Sequence, residues 1–297
     1  MTDSGPGAGA DSGGSPTAGY VRFVVLGGAR TGSYMLVQAL DSHPNVTCFG
    51  ELFHWQQDHI DYNVAGYDDN STEDKALRDA DAGRFLRERI FCPRPPEARA
   101  VGFKLLYSHV WGFAGLLDRL IEDTEIRVVH LQRRNLLRML VSTRLAQASG
   151  VWRVDRGFAP VQLLEQRTWL RALRRPGRAL TALRKLLRPP PAPDPATKAL
   201  TLSLDECRAY FFKARHEVTH FTRLFEAHPA ISVCYEDLVK ERNASLRGVQ
   251  SFLEVPPART TVTLARQNPE PLSTLIANYE ELRAAFRDTP HTVFFDG

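Results

Sequence analysis

Gly28-Ala29-Arg30-Thr31-Gly32-Ser33-Tyr34 is the stretch of this 297-residue chain best suited to hold a phosphate-like group. Backbone N–H groups of a glycine-rich turn, added to the dipole of the helix the turn opens, make an anion cradle. Gly27 and Gly32 fit the two glycines of the nucleoside-triphosphatase loop G-x-x-x-x-G-K-[ST]. Ser33, however, replaces the loop lysine, Tyr34 replaces the magnesium-binding hydroxyl, and Arg30 supplies a cation inside the loop instead. The implied chemistry is the handling of a phosphate-like group without the usual lysine and metal. Arg134 and Ser142, two helical turns apart, can grip a second phosphate through charge-assisted bonds. On these residues alone two plainer readings stay open: a packing turn, and a solvated Arg133–Arg134 pair beside a surface serine.

The elements that must position these groups follow from apolar patterning. Short buried strands are expected near 22–27, 46–49, 100–107, 126–131 and 231–235. Helices are expected near 32–42, 74–89, 113–122, 136–149, 204–227 and 244–253. Their alternation predicts an α/β fold, a doubly wound parallel sheet with a strand–phosphate loop–helix site. Ligands then bind beyond the carboxyl ends of the strands, where Gly28–Ser33, Glu51, Lys104 and Arg134 all fall.

Composition bounds the rest. With 43% hydrophobic residues and a net charge of +4, the chain can build one large domain. No apolar run reaches membrane-spanning length and no signal sequence stands at the start. Residues 1–19, rich in Gly, Ser, Pro and Ala, read as a disordered tail, and 20–297 as a single domain with a basic, Pro-rich insertion at about 155–200. Within that insertion residues 167–188 carry eight Arg and Lys and no acid, with leucines at roughly helical spacing. A solvated flap, an acceptor-recognition lobe and a peripheral contact with an anionic membrane all remain open for it. Nucleic acid is not expected as a partner, because no recognition-module motif or aromatic interleaving is present. Four scattered cysteines suit reduced thiols, and so a cytoplasmic setting.

Taken together, the loop and the Arg134–Ser142 segment resemble the sulfotransferases that use 3′-phosphoadenosine 5′-phosphosulfate (PAPS). Cys234-Tyr-Glu-Asp-Leu238 and Phe252-Leu-Glu-Val255 resemble later stretches of that family. The nearest resemblance is to bacterial carbohydrate sulfotransferases of the nodulation-factor and trehalose type, through Ser42-His-Pro-Asn45, Phe49-Gly-Glu-Leu-Phe53 and Asn278-Tyr-Glu-Glu-Leu282. The likeness covers roughly residues 20–150 and 200–290.

The resemblance implies PAPS as co-substrate, no metal, and a hydroxyl-bearing acceptor: a small molecule, a glycan or a glycolipid. It assigns the 5′-phosphosulfate to Gly28, Ala29, Arg30, Thr31, Gly32, Ser33 and Tyr34, and the 3′-phosphate to Arg134 and Ser142. Tyr235 is expected against the adenine and Arg266 on the 3′-phosphate, while Gln267 departs from the family's pattern and is left out. Arg30 and Lys104 are expected to hold the transferring and bridging oxygens. Lys104-Leu105-Leu106 stands where eukaryotic relatives carry Lys-Thr-His, so the base must come from elsewhere. Glu51 is expected to be that base, with His54 and His109 as alternates. Tyr34 replaces the family's usual small hydroxyl residue. A small-molecule or sugar kinase, or a non-catalytic nucleotide-binding protein of the same fold, is the alternative.

Overall fold

The computed structural model of the chain describes residues 19–54, 59–152, 199–263 and 267–296. Five strands, β1 (Val21–Gly27), β2 (Val46–Glu51), β3 (Ala100–Leu106), β4 (Arg127–Gln132) and β5 (Ala230–Cys234), form one sheet in the order β2-β3-β1-β4-β5. Every pairing is parallel. The chain winds to one side of β1 through β2 and β3, then to the other through β4 and β5, as the alternation of elements predicted. The crevice at such a reversal lies over the carboxyl ends of the central strands.

Both faces of the sheet are buried, and the side-chain period of two sorts each strand between them. Val24 and Leu26 of β1 join Phe103 and Leu105 of β3 in a core with Phe53, Phe85 and Leu116. Phe23 and Val25 face the other way, onto Leu36, Val37 and Leu40 of helix α1 (Ser33–Asp41) and onto Leu246 and Val249. A third cluster packs Leu137, Leu140 and Val141 of the helix Leu136–Ser149 against Phe211 of the helix Leu204–Leu224 and against Leu282 and Phe286 near the end of the chain.

Two elements differ instructively from expectation. The helix expected over 74–89 breaks at Asp81, whose extended backbone (φ −153°) ends Thr72–Ala80 and whose carboxylate accepts from Arg84 N to start a new turn. β2 runs on to Glu51 because of a register shift between Phe49 and Glu51. Phe49 sits opposite Phe103, but the next partner of Lys104 is Glu51 and not Gly50. This bulge turns the Glu51 side chain to the face it would otherwise miss. Gly50 permits it, since a Cβ there would lie 2.6 Å from the Asp61 carbonyl oxygen.

No helix among the described residues is long and apolar enough to cross a membrane. All four cysteines are free. Residues 1–18 of the tail and the basic stretch 167–188 lie outside the described residues.

Candidate active site

The phosphate loop is shaped by backbone conformation. Arg30 (φ 65°) and Gly32 (φ 84°) both take left-handed backbone, and Thr31 Oγ1 donates to the Gly28 carbonyl (2.9 Å), closing the turn ahead of α1. Gly32 is required twice over. Besides its φ, a Cβ there would stand 2.4 Å from the Tyr235 ring, which walls the loop from the end of β5. Tyr235 in turn carries the Arg133 guanidinium over its face (4.3 Å to the centroid), and Arg133 donates to the Arg30 carbonyl (2.9 Å).

Arg30 leaves the loop sideways. Its Nε donates to Ser142 Oγ (2.9 Å), its Nη1 to the Trp152 carbonyl (2.6 Å), and its Nη2 to the amide oxygen of Gln267. All three acceptors are neutral, and burial lowers the guanidinium below its usual pKa. Among the described residues this half-buried cation is held by neutral oxygens, an arrangement that can take up an anion.

Two expected donor-site residues have partners of their own in this structure. Arg30, expected to hold the transferring and bridging oxygens, donates to Ser142 Oγ. Arg134, expected to converge with Ser142, makes a two-pronged ion pair with Asp237 (2.7 and 2.5 Å) at the surface. Glu236 accepts from Arg134 N and Asn135 N (3.0 and 3.2 Å), so the Glu236-Asp237 pair braces the end of β4. Sequence reasoning gave Arg133 no role, leaving a solvated Arg133–Arg134 pair as one open reading, and left out Gln267, which reaches the loop. Alternation along a strand end was the available signal for Arg133: neighbours there point to opposite sides. Arg266 lies outside the described residues.

On the other flank of the loop, Glu51 and Lys104 form a buried ion pair through Glu51 Oε1 (8% and 3% exposed). Tyr34, from the first turn of α1, covers the Lys104 ammonium with its ring (3.8 Å to the centroid). Tyr34, which fills the place where the resemblance expects a small hydroxyl residue, is therefore a roof over the Glu51–Lys104 pair. Burial pushes the Glu51 carboxyl up, but Lys104, by charge and hydrogen bond, and then the two histidines hold it below the usual carboxylate value. Its second oxygen, Oε2, faces His109 Nε2 (3.7 Å) and His54 Nε2 (3.9 Å). Burial holds His109 down at about 4, against the pull of Glu51, so its ring is neutral at pH 7.

The three ligand atoms of Glu51, His54 and His109 lie within 4.8 Å of one another, a spacing that would also suit a cation. The ammonium already bound to the same carboxylate opposes one. The structure thus brings the loop, Glu51, Lys104, His54 and His109 to one end of three adjacent strands, with Arg30, Ser142 and Arg133 on the β4 side.

No protein-family profile matches the chain. It is 27% identical to nodulation protein H of Rhizobium tropici over 279 residues, 92% of each protein. To nodulation protein H of Rhizobium meliloti (strain 1021) it is 26% identical over 280 residues, 92% of this chain and 94% of that one. The solved structure of a sulfotransferase from Alicyclobacillus acidocaldarius aligns with 93% of this chain and 94% of that one, at 16% identity and a TM-score of 0.46. Over 92% of its length, this chain is similar to the nodulation protein H proteins, the kind of relative to which its phosphate loop and its Glu51 stretch pointed.

Proposed function

We propose that the protein transfers a sulfuryl group from PAPS to a hydroxyl of a carbohydrate or glycolipid acceptor, in line, with Glu51 as general base and without a metal. The observation that carries this reading is the buried Glu51–Lys104 pair, set beside an anion loop that lacks the nucleotidase lysine. An ionised carboxylate with one oxygen tied to lysine and the other free is ready to take a proton. Lys104 and the loop N–H groups stabilise charge on the leaving phosphate oxygens, which a metal would otherwise do. Arg30, with Ser142, is read as a donor-binding group on the 3′-phosphate side, and Tyr235 as the wall of that site. A reaction of this kind suits a cytoplasmic protein, where PAPS is made.

Thermal-shift titration separates this reading from its rivals. PAP, the spent donor, is expected to raise Tm by on the order of 5 °C at a hundredfold excess over Kd, equally with and without magnesium. Stabilisation by ATP with magnesium and none by PAP overturns the proposal in favour of a kinase.

Arg134 supplies a second test. To bind a 3′-phosphate it must leave Asp237, and an exposed ion pair is weak enough to exchange. Calorimetry is expected to show PAP binding weakened roughly tenfold or more in Arg134→Ala. In Asp237→Asn, which frees the guanidinium, binding should tighten. Unchanged affinity in both variants takes Arg134 out of the donor site.

A further inference from the structure

The helix Leu204–Leu224 has an outer face for which sulfuryl transfer has no use. Arg208, Phe212, Arg215, His216 and Thr219 recur along it at helical spacing, and with His291 they line a recess of about 280 Å³. A volume of that order suits a small molecule. None of the six residues belongs to the phosphate loop or to the Glu51 cluster. Five of them carry hydrogen-bond donors, the sixth is a phenyl ring, and no acid is among them.

The charge in this recess is positive and poorly compensated. Arg208 has the Asp205 carboxylate at 3.9 Å, with both side chains more than half exposed, a contact that neutralises little. Arg215 has no ion pair among the described residues, and its guanidinium lies over the Phe294 ring (5.9 Å to the centroid). Glu217, two positions further along, pairs with Lys213 (3.8 Å) and does not line the recess. The His291 ring packs among Phe211, Phe286 and Phe294, its Nδ1 buried without a hydrogen-bond partner. Burial, and then the charges of Arg215 and Arg208, hold it below the usual histidine pKa, so both guanidinium groups act on this one place. The basic stretch 167–188, which has no acid, carries the wrong charge to fill it.

The apolar member offers a ring face. Phe212 is 74% exposed, and its ring lies parallel to that of His216 (7° between planes, 6.1 Å between centroids). Two guanidinium forks two turns apart on one face can share a phosphate dianion while a flat ring stacks on the phenyl. We propose that this recess is a second anion site, separate from the sulfuryl-transfer centre, for a phosphate monoester carried on a flat ring, an aryl or nucleoside phosphomonoester. Arg208 and Arg215 take the phosphate, Thr219 and the two histidines add donors, and Phe212 carries the ring. With two arginines facing it, a dianion is held better than a singly charged sulfate ester.

Calorimetry on the full chain with phenyl phosphate, inorganic phosphate and phenyl sulfate tests this. Phenyl phosphate is expected to bind at a site that persists in Arg30→Ala, where the phosphate loop has lost its cation. In that background Arg208→Ala and Arg215→Ala should each weaken it about tenfold or more. Phe212→Ala should weaken phenyl phosphate severalfold and leave inorganic phosphate unchanged. Phenyl sulfate should bind more weakly than phenyl phosphate. The three substituted side chains are exposed, so the fold is expected to survive, and thermal melts check that it does. Binding that is lost in Arg30→Ala, or that neither Arg208→Ala nor Arg215→Ala changes, overturns the inference. So does an equal loss of phenyl phosphate and inorganic phosphate in Phe212→Ala, or the absence of saturable phenyl phosphate binding at millimolar concentration.

Discussion

Glu51→Gln is expected to lower kcat by about 10²–10⁴-fold while PAP affinity stays within about twofold of wild type, since a positioned base contributes on that scale. The amide oxygen of glutamine can still accept from Lys104, so the strand ends keep their geometry, but the proton acceptor at Oε2 is gone. An uncompensated buried ammonium destabilises the variant, and thermal melts must show that it remains folded at the assay temperature. Glu51→Asp, which keeps the charge and withdraws it from the acceptor, should fall between the two. His109→Asn tests the alternative: if it abolishes turnover while Glu51→Gln remains near normal, the base is His109 and the resemblance was misapplied at this strand end.

The frame of this protein was legible because it rests on short-range patterns. Buried β-branched runs marked all five strands to within a few residues, and strand–helix alternation gave the parallel sheet. From there the general rule for such sheets put Glu51, Lys104 and the phosphate loop at one edge. Contacts made across long separations were not legible. Arg30 meets Ser142 and Gln267, 112 and 237 residues away, and no local pattern encodes which of several nearby cations turns that way. The pairing of Glu51 with Lys104 depends on a single bulge at Gly50. Glycine inside a strand hints at such a bulge, but the hint does not say which face the next side chain reaches. His54 and His109, expected as alternates to Glu51, turn out to face it together.

Lys104→Met carries the second large expectation, and it is a change in pH dependence as well as in rate. Removing a donor aimed at charge that develops in the transition state costs about 10²–10³-fold in kcat. With the ammonium gone, burial is no longer outweighed, so the Glu51 carboxyl rises from below the usual carboxylate value to above it. The acid limb of the kcat/KM profile should therefore move to higher pH, because the base stays protonated longer. Stability follows the same linkage. In the wild type a depressed Glu51 contributes stability that is present above the unfolded carboxylate value and lost as pH falls through the folded one. In the variant a raised Glu51 costs stability that grows as pH climbs above the unfolded value. Breaking a buried pair from one side costs about 3–5 kcal/mol, so urea melts at pH 7.5 should show a deficit of that order, and melts at pH 4.5 a much smaller one. A deficit equal at both pH values, together with an unmoved acid limb, would show that Lys104 does not set the ionisation of Glu51. The proposed division of labour between base and cation would then fail.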